Sequence, residues 1–108
     1  MSGSSGPDRP GPGPGGGGDD CSRLRLVRQI EAPIPGVADA LSPGDILAVE
    51  LRTGSVDIVV LVDASGQDAG SIIATGRLLE CLRQGAPFEA GVMTVRGGAI
   101  QVEVRAPA

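Results

Sequence analysis

The chain has no histidine, lysine, asparagine, tryptophan or tyrosine, and Phe88 is its only aromatic residue. Without histidine there is no Ser/His or Cys/His nucleophile pair, no imidazole base and no ordinary zinc site. Without lysine there is no Schiff base and no phosphate-loop lysine. Acid and base chemistry would rest on carboxylates alone, so a non-enzymatic protein with no metal and no cofactor is expected. Every one of the nine positive charges is arginine, a bias that a GC-rich coding sequence produces without any selection for function.

Long apolar runs are missing as well. None approaches the roughly 18 to 20 residues of a membrane span, and the N-terminus lacks the basic-then-apolar order of a secretory signal. The expectation is a cytoplasmic protein that does not engage membranes. Net charge is −4. Setting aside Asp8, Asp19, Asp20 and Arg9 leaves eight arginines against ten acidic residues, a net −2, from Cys21 onward. That balance does not favour a polyanionic partner.

The first twenty residues, MSGSSGPDRPGPGPGGGGDD, contain no Val, Ile, Leu or Phe. They are read as a disordered Gly/Pro-rich leader acting as a tether. The GPGPGGGG run has no preceding strand, no GK[ST] and no helix start behind it, so it is not a phosphate loop. Residues 21–108 carry enough Val, Ile, Leu and Ala for one modest core, hence one domain.

Alternation sets out the strands of that domain. Arg23 to Glu31 places Leu24, Leu26 and Ile30 on one side and predicts a first strand. Pro33, Pro35 and Gly36 break it, Val37 to Leu41 suits a short helical turn, and Ser42-Pro43-Gly44-Asp45 a tight turn. Ile46 to Arg52 is a second strand, with Leu47, Val49 and Leu51 inward. After Thr53-Gly54-Ser55, Val56 to Val62 is nearly all apolar, a central third strand that resumes after Gly70 at Ile72-Ile73.

Thr75 is a suitable N-cap for a helix whose stripe is Leu78, Leu79, Cys81 and Leu82, and Gly85 is its stop. Phe88 to Val95 and Ala99 to Arg105 are then two strands joined by Arg96-Gly97-Gly98. The fold class expected is mainly β: a small OB-like β-barrel of five to six strands with one α-helix after the third strand. Closure would leave no long edge strand exposed. An SH3-like barrel or an open α+β sandwich fits the same pattern, because periodicity reports strands and not their spatial order.

Few motifs carry chemistry. Ile58 to Gly66, IVVLVDASG, resembles the metal-ion-dependent adhesion site of von Willebrand A domains through Asp63 and Ser65. Gln67 stands at the next ligand position, however, and too little chain follows for that doubly wound domain, so a polar turn after a strand is expected instead. Asp45, Asp57, Asp63 and Asp68 flank the third strand, but no calcium-loop spacing joins them and they read as turn caps. Cys21 and Cys81 read as buried or simple reduced thiols in a chain without a secretory signal, with a mutual disulfide as the alternative. Arg23, Arg25 and Arg28 form the one local basic cluster. With Arg96 they are the candidates for single-stranded nucleic-acid or DNA-end binding, although such grooves normally add aromatic stacking that this chain lacks.

From Leu41 to Val104 the pattern is similar to the HIRAN domain, a small OB-like module that stands alone in bacteria and is fused to remodelling helicases in eukaryotes. The matching features are Pro43-Gly44-Asp45 before an apolar strand, Asp57 before an Ile-Val strand, and Gly66 and Gly70 before Ile72-Ile73. The helix Leu78 to Leu82 and the closing hairpin match too. HIRAN domains that bind DNA ends use aromatic and basic surface residues, and those aromatics have no counterpart here. The resemblance thus implies the barrel fold, and an accessory component of a bacterial defence or mobile-element system, more directly than DNA binding. The function expected is an interaction module that binds a protein partner or itself. The alternative is an OB-type nucleic-acid binder.

Overall fold

A computed structural model of the chain describes residues 21–107; the leader reading for residues 1–20 lies outside the described residues. Six strands form one antiparallel sheet: β1 (Arg25–Gln29), β2 (Ile46–Arg52), β3 (Ile58–Val62), β4 (Asp68–Ile72), β5 (Glu89–Arg96) and β6 (Ala99–Arg105). One helix, α1 (Gly76–Arg83), links β4 to β5, and a 3-10 turn (Ala38–Ala40) precedes β2. Residues 21–23 are also helical.

The strand order is β1-β6-β5-β2-β3-β4, and the sheet curls into a half-barrel whose edge strands are β1 and β4. The two edges meet at one point. Ile30 N–H still donates to Ile100 on the β6 side (2.9 Å), and the next residue, Glu31, exchanges two hydrogen bonds with Ser71 of β4 (2.7 and 3.0 Å). Ile34 N–H continues along β4 to the Ala69 carbonyl (3.0 Å). The chain changes partner here because Ala32 takes a left-handed conformation (φ 47°), uncommon for a residue with a Cβ, and Pro33 follows it.

Gly70 makes the crossing possible. A Cβ on Gly70 would lie 2.4 Å from the Ile30 Cγ2 and 3.0 Å from the Glu31 carbonyl oxygen. Only a residue without a side chain lets residues 30–33 pass this closely over β4.

The core lies inside the curl. Leu47, Val59, Leu61, Ile72, Ala90, Val92, Ile100, Val102 and Val104 point into it from the strands, joined by Ile30, Leu78 and Phe88. The burial of the strand residues follows from the two-residue period of a strand, and β2 and β6 keep the bounds and facing that alternation predicts. The helix starts where Thr75 Oγ1 accepts from Leu78 N–H (3.1 Å). It ends in a paired stop, with Ala86 N–H donating to Cys81 and Gly85 N–H to Leu82, Gly85 being left-handed (φ 85°).

Several expectations need correction. The first strand is shorter than Arg23 to Glu31, because residues 21–23 wind into a helical turn held by Leu24 N–H on the Cys21 carbonyl (3.2 Å). The third strand starts at Ile58 rather than Val56, and its supposed continuation at Ile72-Ile73 is a separate strand that begins at Asp68. The helix therefore follows the fourth strand, not the third. Cys21 and Cys81 are not reduced thiols: buried, with Cα atoms 5.7 Å apart, they form a disulfide across 60 positions of sequence.

Candidate functional site

The outer face of the sheet is mostly tied up in ion pairs. Arg52 on β2 binds both oxygens of Asp68 on β4, at 2.6 and 2.8 Å, and also contacts Glu50 at 3.2 Å. Because β3 lies between β2 and β4, the Arg52 side chain must cross the outer side of β3 to make this bridge. That explains why Val60 and Val62, which face away from the core, are nonetheless buried. The bond to Asp68, followed by that to Glu50, raises the Arg52 pKa, and the bond from Arg52 lowers that of Asp68. A second group of charges runs along the β1, β6 and β5 outer face, where Arg105 bonds Glu89 (3.0 Å) and Glu103 (3.3 Å), and Glu103 also meets Arg25 (3.2 Å). A Cβ on Gly91 would lie 2.5 Å from an Arg105 guanidinium nitrogen, so Arg105 lies flat on β5 only because residue 91 is glycine.

The four aspartates of the sequence reading do not converge on a cation. Asp45 accepts from Ser42 N–H (2.9 Å), Asp57 pairs with Arg83 of α1 (2.8 Å) and Asp68 is held by Arg52. Asp63 sits in the β3–β4 turn, where one carboxylate oxygen accepts from the Ser65 hydroxyl (2.7 Å) and from Ser65 and Gln67 N–H (2.9 Å each). Those bonds, the Ser65 hydroxyl first, lower its pKa. No group of three potential metal ligands occurs among the described residues. The Asp-x-Ser-Gly sequence is a self-bonded turn.

The four candidate nucleic-acid arginines are also placed apart. Arg25 is exposed, as alternation predicts, and is paired with Glu103, while Arg23 is exposed in the helical turn before β1 rather than on the strand. Arg96 stands at the β5–β6 hairpin, beside a shallow polar depression lined with Gln29, Thr94 and Gln101. Since Arg25 is level with Arg105, and Arg96 with Ala99, the two lie about 20 Å apart along β6. Arg28 turns toward the slit between the edge strands. Its Nε–H donates to the Ile73 carbonyl (2.8 Å) and its Nη1 to the Val27 carbonyl (2.9 Å). This role was open to sequence reasoning, because Arg28 shares the parity of Leu26 and Ile30.

What the surface does present is apolar. One step beyond the Val59–Ile72 pair the register brings Ile58 opposite Ile73, and these two face outward, 48% and 67% exposed. They border a groove that also takes in Ala74 and Leu79, and Val56, two residues before Ile58, is 71% exposed. The Asp57–Arg83 ion pair ties the β2–β3 loop to α1 at this groove. The sequence reading of Val56 to Val62 as a central strand, covered on both faces or bent across a barrel, did not single out this patch; Ile58 lies on the face opposite to Val59 and Leu61.

No helix among the described residues is long and apolar enough to cross a membrane. Comparison with protein-family models, with curated proteins and with solved structures finds no match.

Proposed function

We propose that the chain is a non-enzymatic interaction module that docks protein through the Val56, Ile58 and Ile73 patch, with a second copy of itself as the first occupant. The observation that carries this reading is three large apolar side chains, each about half exposed or more, gathered at one end of the β3–β4 hairpin. Scattered apolar residues on a surface mean little, but a contiguous patch rimmed by polar groups marks an interaction site. The neighbouring charges are matched in pairs, Arg52 with Asp68 and Arg83 with Asp57. Such a rim repels neither sign, and a twofold arrangement would set identical apolar residues against one another.

The OB-like, HIRAN-type identity is part of the same proposal. Counted from β2, the elements run three strands, one helix, two strands, the order of an OB-type barrel, with β1 added at the edge beside β6. The setting in a bacterial defence or mobile-element system rests on that resemblance, and a cytoplasmic setting is proposed with it. The nucleic-acid alternative draws on Arg96 and its polar depression, but the dispersal of the arginines and the lack of stacking aromatics favour protein.

Size-exclusion chromatography with light scattering tests the reading. Molar mass should rise with concentration for the native chain and stay at the monomer value for the Ile58→Glu, Ile73→Glu double variant. A native chain that stays monomeric, and retains no protein that the double variant loses, removes it.

A further inference from the structure

We infer that the polar depression beside Arg96, on the outer face of β1, β6 and β5, is a binding site for one carboxylate of an acidic peptide. It lies on strands other than those of the Ile58 and Ile73 patch and does not depend on that patch.

Register assembles the site. Gln101 of β6 stands opposite Gln29 of β1 on one side and Thr94 of β5 on the other. The three side chains therefore form a row across neighbouring strands about 4.8 Å apart. Thr94 reaches this face only because of a bulge: between Val92 and Thr94 the pairing slips by one residue, Met93. Strict alternation from buried Ala90 and Val92 would turn Thr94 and Arg96 inward. The slip turns both outward, level with Gln101 and Ala99. Bulges that re-aim side chains in this way are frequent beside functional sites.

Two features then hollow the surface. Ala99, opposite Arg96, is small. No β1 residue flanks it, because the chain makes its last bond toward β6 at Ile30 and pairs Glu31 with Ser71 of β4. The depression, about 350 Å³ and lined by Gln29, Thr94, Arg96, Ala99 and Gln101, is at the small end of ligand sites and suits one acidic residue. Its polar groups are uncommitted. Among the described residues the side chains of Gln29, Thr94, Arg96 and Gln101 make no hydrogen bond or ion pair. Arg25, Glu89, Glu103 and Arg105, farther along the same face, are paired with one another.

Arg96 thus presents a free planar guanidinium, the group that holds a carboxylate through two parallel hydrogen bonds. Each glutamine carboxamide beside it offers both donors and an acceptor, a match for the N–H and C=O of a peptide rather than for further anionic groups. A single cation without an aromatic neighbour does not make a nucleic-acid groove, which combines several positive charges with stacking.

Titration of the full chain, followed through the side-chain NH2 signals of its glutamines by NMR, tests this. The sequence has no asparagine and only four glutamines, so Gln67 and Gln84, outside the depression, are internal controls. The probes are acetyl-Gly-Gly-Glu-Gly-Gly-amide, acetyl-Gly-Gly-Gly with its C-terminal carboxylate free, the neutral acetyl-Gly-Gly-Gln-Gly-Gly-amide, and a thymidylate pentanucleotide. One carboxylate peptide or both should shift Gln29 and Gln101 saturably, at least about tenfold more tightly than the neutral peptide, and the tighter of the two shows which carboxylate is read. Arg96→Gln removes the charge and Ala99→Leu fills the hollow. Each should weaken that binding at least about tenfold and leave the melting temperature unchanged, since both positions are exposed. The proposal is overturned if no shift saturates, if Gln67 and Gln84 move equally, or if the neutral peptide binds as well. Native affinity in Arg96→Gln overturns it too, as does tighter binding of the oligonucleotide than of either carboxylate peptide.

Discussion

The Arg28 guanidinium bonds the Ile73 carbonyl at 2.8 Å, spanning the slit between β1 and the chain leaving β4. Its second bond, to the Val27 carbonyl at 2.9 Å, covers a backbone acceptor on the edge strand itself. A side chain here does what a strand ladder does elsewhere: it occupies edge groups that would otherwise recruit another chain. Arg28→Met keeps the side-chain volume but removes both bonds. It should cost about 1 to 3 kcal/mol, read as a lower urea midpoint with unchanged slope, and a midpoint equal to the native one would show the bridge contributes nothing.

Two glycine-to-alanine substitutions should act in opposite directions. At Gly70 the new methyl meets Ile30 and the Glu31 carbonyl, and overpacking of backbone against backbone should cost about 2 to 4 kcal/mol. At Gly76, the first residue of α1, nothing lies within 4 Å. There the gain in helix propensity should stabilise by up to about 1 kcal/mol. Thermal melts of the two variants separate them by sign.

Removing the hydroxyl cap of α1 should be felt locally. Thr75→Ala leaves Leu78 N–H without its side-chain acceptor and should cost about 1 kcal/mol. Thr75→Ser should restore most of it, because the acceptor oxygen returns. Equal midpoints for the Ala and Ser variants would assign the effect to something other than the cap.

Acid should destabilise the fold through Asp63 and Asp68. Both have pKa values below the ordinary 3.8 in the folded chain, so the unfolded chain binds protons first as pH falls. Their stabilisation is therefore whole above about pH 5, and drains away as pH drops through 4 and onward through the lowered folded values. Asp68→Asn removes one of the two groups, so the variant should be less stable than the native chain at pH 7 and lose less on going from pH 5 to pH 2. Denaturant midpoints across that range measure the slope, and parallel profiles would show that Asp68 does not drive it.

Much of the fold was legible because it depends on alternation. β2, β6 and the helix caps follow directly from residue parity and from Thr75 and Gly85. The partner switch at Glu31 was not legible, since it depends on Gly70 lying under residues 30–33, forty positions away. Burial of the outward Val60 and Val62 likewise depends on Arg52 reaching a strand two places over, a fact of topology. The disulfide stood only as the alternative reading for the same reason: spacing names the two cysteines, but only the fold brings Cys21 within bonding distance of Cys81. Arg28 and Ile58 were legible from parity, yet the basic cluster and the apolar run around them obscured it.

Methyl-resolved NMR of the native chain over a dilution series tests the docking patch most directly. The Ile58 and Ile73 methyl signals should move with concentration and return on dilution, while those of Met93 and Val27, exposed on other parts of the surface, stay fixed. Ile58 and Ile73 signals that do not move, or a concentration dependence centred on Met93 and Val27, would contradict the assignment of this patch as the place where the protein meets its partner.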